Sequence, residues 1–283
     1  MSAAFTDAEI LAAIGKVNEA LPFRGYLTQG KVRRILHLVR AITRYQSPSG
    51  GRLLDIGSGP MDVTAVFAQL GYDCSAADDL SDSWHLRDDN REKIAAFARQ
   101  MGIDFHLTRS DDHSLPFEEG AFDVVNLNSI IEHLHESPRD LLNTAGSYLK
   151  SGGLLCITTP NAVNLRKRIS VLCGRSNYPP VEQLFHCCGA WRGHVREYTL
   201  SEVAYICRAA GYEVLGASTF EVVAYDRLRG PVLQAYLLLS RMIPGCRSAL
   251  CVIARKPADW SPVTEDADAY RAAVARSVPP GVR

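Results

Sequence analysis

The chain has 283 residues, 47% of them hydrophobic, enough to bury one large α/β core with appendages. Lys plus Arg and Asp plus Glu balance at 31 each, so no net field draws the protein to nucleic acid or to an anionic membrane. No apolar run reaches the roughly 18 residues of a transmembrane segment. Met1 to Asp7 lacks a basic stretch followed by an apolar one, so the eight cysteines read as reduced thiols of a cytoplasmic protein.

In chain order, residues 6–21 read as a helix opened by a capping box, Thr6 with Glu9 three residues on. Pro22 to Gly30 is a break. A second helix, 31–45, sets Val32, Ile35, Leu36 and Val39 at helical spacing. Short apolar strands then alternate with helices at 52–56, 73–77, 103–107, 122–127 and 153–158, with two more strands near 212–219 and 249–255. That alternation predicts an α/β protein with a seven-stranded, mostly parallel sheet and helices on both faces. Ser137-Pro138 is a cap followed by a first-turn proline, Gly152-Gly153 is a turn, and Thr199 with Glu202 opens a helix that stops at Gly211. Periodicity ends at Pro257. The expected plan is an N-terminal helical cap over 1–48, a main domain over 49–256 and a loose tail over 257–283.

The most informative stretch is Leu53-Leu54-Asp55-Ile56-Gly57-Ser58-Gly59, an apolar strand entering a glycine-spaced turn before a helix. Gly57 and Gly59 lack a Cβ, so the backbone can approach a ligand closely. A dinucleotide turn would need a third glycine where Asp62 stands, and Asp55 is an anion where a pyrophosphate would not want one. A cationic ligand suits the turn better, and S-adenosylmethionine carries both an ammonium and a sulfonium.

Asp55 to Pro60 resembles motif I of the class I S-adenosylmethionine-dependent methyltransferases. The later landmarks follow in that family's order: Gly71 to Asp79 resembles its second strand and terminal acid, and Ser110 to Phe117 its adenine loop. Phe122 to Leu127 with Ile131 to Leu134 resembles its fourth strand and exit, and Leu149 to Asn161 the turn into its fifth. The resemblance spans roughly residues 50–220. It implies a Rossmann-like fold and S-adenosylmethionine as cofactor, and it is closest to the ubiquinone-type and sugar-modifying O-methyltransferases.

Strands of such a sheet deliver their carboxyl ends to one crevice. The expected cofactor ligands are therefore Asp55, Gly57, Ser58 and Gly59 at the turn, Asp78 or Asp79 for the ribose hydroxyls, Asp111 and Asp112 for the adenine, and Asn128 at the fourth strand's end. Glu132 and His133 follow that strand, where methyl group and acceptor should meet, and a histidine there can take a hydroxyl proton. Some relatives have extra carboxylates just before this pair and use a divalent metal. This chain has Ser129-Ile130-Ile131 there, so no metal is expected.

Residues 160–199 are too long for a plain crossover and read as a substrate lid. Asn161, Arg166, Tyr178, Trp191, Arg196 and Tyr198, with Tyr26 from the 22–30 break, are the expected acceptor contacts, and His194 is a second candidate base. Such aromatics suit a small-molecule or oligosaccharide acceptor and equally a homodimer contact. His186-Cys187-Cys188 with His194 lacks the paired spacing of a zinc site, so these cysteines read as buried small hydrophobes. Residues 225–245 form an apolar helical stretch flanked by Arg227, Arg229 and Arg241, which suits a lid, a dimer face or a peripheral membrane contact. The expected activity is O-methylation of a sugar, polysaccharide or natural-product hydroxyl. Three alternatives stand beside it: a quinone or lipid acceptor at a membrane, an amine acceptor, and a non-catalytic cofactor-binding subunit.

Overall fold

The computed structural model describes residues 5–46, 51–109 and 114–277, so the expected adenine ligands Asp111 and Asp112 lie outside the described residues. Strands β1 (Arg52–Ile56), β2 (Asp73–Asp78), β3 (Asp104–Leu107), β4 (Phe122–Asn128), β5 (Leu149–Pro160), β6 (Glu213–Phe220) and β7 (Ala249–Arg255) form one sheet of order β3-β2-β1-β4-β5-β7-β6. Only β7 runs against its neighbours, β5 and β6. From β1 the chain winds outward one way through β2 and β3, then the other way through β4 and β5. The topological switch therefore opens a crevice at the carboxyl ends of β1 and β4.

Alternation along the strands divides the core in two. Leu53, Cys74, Val124, Leu154 and Cys156 face helices α1 (Asp7–Ala20), α2 (Gln29–Thr43), α3 (Asp62–Gln69) and α4 (Asn90–Gln100). Leu54, Ala77, Val125, Leu155 and Ile157 face α5 (Pro138–Tyr148) and α8 (Leu200–Ala209). Helices α1 and α2 of the expected N-terminal cap pack into this core. Ile10 and Val17 of α1 and Ile35 and Val39 of α2 sit in the same core as Phe67 of α3. Both expected capping boxes form, at Thr6/Glu9 and Thr199/Glu202.

Three expectations change. Gly152-Gly153 is a bulge inside twelve-residue β5: Phe122 pairs with Leu149 while Val124 pairs with Leu154. The 225–245 stretch is split into α9 (Val223–Arg227) and α10 (Gly230–Met242), where Gly230 takes a φ of +54°. The 257–265 part of the expected loose tail is tied down. Trp260 Nε1 donates to Ala210 O at 2.9 Å, and Asn143 and the Val263 backbone exchange two 2.9 Å hydrogen bonds. One aromatic anchor and one amide carry this attachment, which no periodicity would reveal. Helix α11 (Ala267–Ser277) follows. Among the described residues no helix is long and apolar enough to cross a membrane.

Candidate functional site

The turn after β1 is built by three left-handed residues: Gly57 (φ +69°), Gly59 (φ +54°) and Met61 (φ +62°), the last opening α3. It is strapped to β2, because Gly57 N donates to Ala77 O at 2.7 Å and Gly59 N to Asp78 Oδ2 at 2.7 Å. A Cβ on Gly57 would lie 2.5 Å from the Ile130 side chain. One on Gly59 would meet no atom within 4 Å, so Gly59 faces open space. Ser129, at the exit of β4, is also left-handed (φ +60°), and strain of this kind gathers at ligand sites.

These elements border a cleft of ≈ 230 Å³ lined by Gly57 to Pro60, Asn128 and Ser129, and closed by Tyr26, Lys31 and Arg34 from the N-terminal segment. Trp84 and His85, from the loop after β2, form the far wall, with Trp84 against Tyr26 at 5.7 Å between ring centres. Asp62 occupies the first turn of α3, where a bare helix N-terminus would hold a phosphate. Its carboxyl is pushed up by burial, against the pull of Lys31 at 4.0 Å and of Arg34. An anion already in place disfavours a pyrophosphate, as the sequence suggested. Ser58 Oγ and both ring nitrogens of His85 are buried without a protein partner, so the cleft offers three polar atoms to a polar ligand.

Asp55 does not face this cleft. It is 1% exposed, and its carboxylate accepts from Thr64 Oγ1 at 2.6 Å and Asn126 Nδ2 at 2.8 Å, tying β1 to α3 and β4. Burial pushes its carboxyl up to about 7, with the Thr64 and Asn126 hydrogen bonds opposing. Its protonated form is the one the fold prefers. The resulting stability is full below the unfolded-state value near 4 and is lost as pH rises to about 7. Asp55→Asn should flatten the fall in stability between pH 4 and 7, read from denaturant midpoints. A parent whose midpoint rises over that window would contradict this.

The two acids after β2 have separate partners. Asp78 accepts from Gly59 N and from Leu80 N, each at 2.7 Å, and burial pushes its carboxyl up against those bonds. Asp79 accepts from Ser81 and from Arg192 Nη2 at 2.8 Å, and burial is outweighed there, so its carboxyl is held down. Asp79 therefore anchors the 160–199 segment to the domain.

That segment, with α6 (Leu165–Leu172) and α7 (Val181–Phe185), lays residues 191–198 across the exit of β4. Val195 N and Arg196 N both donate to Glu132 O, and His135 Nε2 bonds to Trp191 O at 2.8 Å. The two candidate bases become one cluster: the His133 and His194 rings are 4.9 Å apart, edge to face. His133 Nδ1 bonds to Arg192 O and His194 Nδ1 to Glu197 Oε1, both at 2.9 Å. In a neutral ring, an oxygen partner at Nδ1 fixes the proton there and leaves the lone pair on Nε2. Glu197 is also paired with buried Lys167; these partners outweigh burial and hold its carboxyl low. Glu132 is fully buried. Its Oε2 accepts from Thr159 Oγ1 at 2.9 Å, its Oε1 has no partner, and burial pushes its carboxyl up.

Other expected contacts are placed elsewhere. Asn161 is buried, its amide donating to Gly245 O and Arg247 O. Tyr198 is a core residue under Arg196, which pairs with Glu202 at the surface. Tyr178 is 69% exposed, and Arg166 is exposed on α6. Trp191 packs over Gly193 beside the histidine cluster, and Tyr26 reaches the cleft wall. Cys187 and Cys188 are exposed, not buried, because α7 and the loop after it have no buried face. Sequence reasoning missed Lys31, Arg34, Trp84 and His85. The signal for the last two was an aromatic pair within the loop that follows the β2 acids.

A methyltransferase-domain family matches residues 26–217. The ubiquinone biosynthesis O-methyltransferase of Caulobacter sp. (strain K31) is 28% identical over 130 residues, 43% of this chain and 48% of that protein. Its counterpart in Caulobacter vibrioides (strain ATCC 19089 / CIP 103742 / CB 15) is 32% identical over 113 residues, 40% and 42% of the two chains. The chain thus spans about half the length of the curated relatives it matches. In fold, Haemonchus contortus phosphoethanolamine N-methyltransferase 2, solved with S-adenosyl-L-methionine, superposes with a TM-score of 0.53 at 15% identity over 89% of this chain and 57% of that one. Glycine turn, strand order and family match converge, and the chain belongs to the class I S-adenosylmethionine-dependent methyltransferases.

Proposed function

We propose that the protein transfers the methyl group of S-adenosylmethionine to a hydroxyl oxygen of a sugar, polysaccharide or natural-product acceptor. The observation that carries this reading is the Glu132–His133–His194 cluster, which begins three residues beyond the cleft residue Ser129. A hydroxyl is a poor nucleophile until its proton leaves, and the Nε2 lone pair of either ring is the base we assign to it. Behind the cleft's glycine turn, which it holds through Gly59 N, Asp78 takes the ribose hydroxyls. Asp62 and Asp82, which also line the cleft, face the ammonium and sulfonium, and Lys31 and Arg34 face the carboxylate. The remaining acceleration comes from holding methyl and oxygen in line in a water-poor site.

Cofactor binding tests the first half of this reading. S-adenosylmethionine or its demethylated product should bind with low-micromolar affinity, about −8 kcal/mol. Gly59→Ala should weaken binding about tenfold or more, because its Cβ enters open space at the turn and its φ is left-handed. Gly57 is a less clean position, since a side chain there also meets Ile130. Unchanged calorimetric binding in Gly59→Ala would place the cofactor elsewhere.

A second reading has its own observation. Ile169, Val171 and Leu172 of α6 and Val232, Leu238 and Met242 of α10 are exposed, with Arg166, Arg168, Arg229 and Arg241 among them. Apolar side chains beside arginines suit a lipid surface and hence a quinone or lipid acceptor. Flotation with anionic vesicles separates the two: co-flotation supports the lipid-directed acceptor, and its absence the water-soluble one.

A further inference from the structure

We infer that Arg192 is a positioning residue: its side chain grips the loop after β2 while its carbonyl holds the His133 ring, so one residue sets the proposed base relative to the cofactor turn. This rests on the methyltransferase reading above, with His133 as base. Arg192 Nη2 donates to both oxygens of Asp79, Oδ2 at 2.8 Å and Oδ1 at 3.0 Å, and to Ser81 Oγ. Arg192 Nε lies 3.9 Å from Asp82 Oδ1, on the cleft wall. The Arg192 carbonyl oxygen is 2.9 Å from His133 Nδ1.

The loop that Arg192 grips is itself held from two sides. Asp78 accepts from Gly59 N and from Leu80 N, each at 2.7 Å. Arg91 donates to Leu80 O at 3.1 Å and to Asp79 O at 3.2 Å. A continuous path therefore runs from the glycine turn through Asp78 and Asp79 to Arg192 and on to His133. The other attachments of residues 191–198 give no such reference. Trp191 O, Val195 N and Arg196 N bond to His135 and Glu132 at the exit of β4, and Glu197 pairs with Lys167 on α6. Among the described residues, Arg192 is the one member of 191–198 that hydrogen-bonds the loop after β2.

The geometry of transfer gives this tie its use. The oxygen must face the methyl carbon in line while the base meets the hydroxyl proton, and a misplacement of about 1 Å can cost about a hundredfold in rate. The cofactor loop follows β2 and the base follows β4, with β1 between them in the sheet, so neither strand fixes the distance directly. A planar guanidinium spans the gap with several donors in fixed directions, which a lysine would not reproduce. The Arg192 side chain is 44% exposed, where an ion pair stabilises a fold little, so orientation is its larger effect. With the carbonyl at Nδ1, the neutral His133 ring presents its Nε2 lone pair.

The test reads the ring directly and needs no acceptor. Full-length protein labelled with nitrogen-15 histidine gives the tautomer of each ring from two-bond nitrogen–proton spectra recorded above the ordinary histidine titration range. The His133 signal is the one lost in His133→Ala. In the parent, His133 should be in the Nδ1–H form. In Arg192→Ala, and in Asp79→Ala, which breaks the same tie from the other side, it should pass largely to the Nε2–H form that free histidine prefers. His194 should keep its parent tautomer in both, because Glu197 holds it. Label transfer to pooled sugar, phenol and lipid acceptors should fall about tenfold to a hundredfold. Calorimetric affinity for S-adenosylhomocysteine should stay within about twofold of the parent, since neither side chain is assigned to the cofactor. Circular dichroism shows which variants are folded, and either one suffices. An Nε2–H parent ring, a parent-like His133 in a folded variant, or His194 changing together with His133 would overturn the positioning role. Any of these with cofactor binding intact removes that role alone, whereas a parent that does not bind the cofactor removes the methyltransferase reading.

Discussion

Replacing His133 by alanine is expected to lower turnover by about two to four powers of ten while S-adenosylmethionine affinity stays at the parent value. The ring lies beyond the cleft lining, so in the proposed reaction its loss is felt when the oxygen attacks and not when the cofactor binds. His194→Ala should match it, since the two rings form one cluster at 4.9 Å instead of two alternative bases. The double variant should cost little more than either single one, because groups acting as a unit lose their function together. Steady-state rates with titrated cofactor give all four values. Parent-like turnover in both singles and in the double would remove the cluster from the chemistry and favour an amine acceptor, which needs no strong base.

Asp78 and Asp79 should separate cleanly by calorimetry. Asp78→Ala is expected to lose about 1.5–3 kcal/mol of cofactor affinity, because it removes a charged acceptor and frees Gly59 N from the strap that shapes the turn. Asp79→Ala should bind cofactor like the parent. Its carboxylate is engaged by Ser81 and Arg192, so its loss should instead loosen residues 191–198 and appear in the acceptor KM. Equal losses in the two variants would mean that the ribose is held elsewhere.

The sheet was readable because its strands are short apolar runs bounded by glycines and acids, and all seven fall within a few residues of their expected places. The glycine turn was readable for the same local reason. Asp55 was not, since its burial beneath the turn depends on Thr64 and Asn126, which come from two other elements. Nor were Lys31 and Arg34, which look like the solvated face of an amphipathic helix until α2 is packed beside the cleft. Asn161 and Tyr198 read as ligand contacts because polar and aromatic residues in a long insertion suggest a lid. Both instead hold that insertion to the sheet, as the bridge between them shows. The Glu132–His133–His194 cluster is the clearest case: each residue was identified singly, and only the return of residues 191–198 across β4 makes them one site.

Purified protein incubated with methyl-labelled S-adenosylmethionine and pooled sugar, phenol and lipid acceptors tests the proposed reaction most directly. Label should appear in an alkali-stable methyl ether, with the demethylated cofactor formed in equal amount and both lost in the His133/His194 double variant. Cofactor that neither binds nor turns over, or label transferred only to amines, would contradict O-methylation at this cluster.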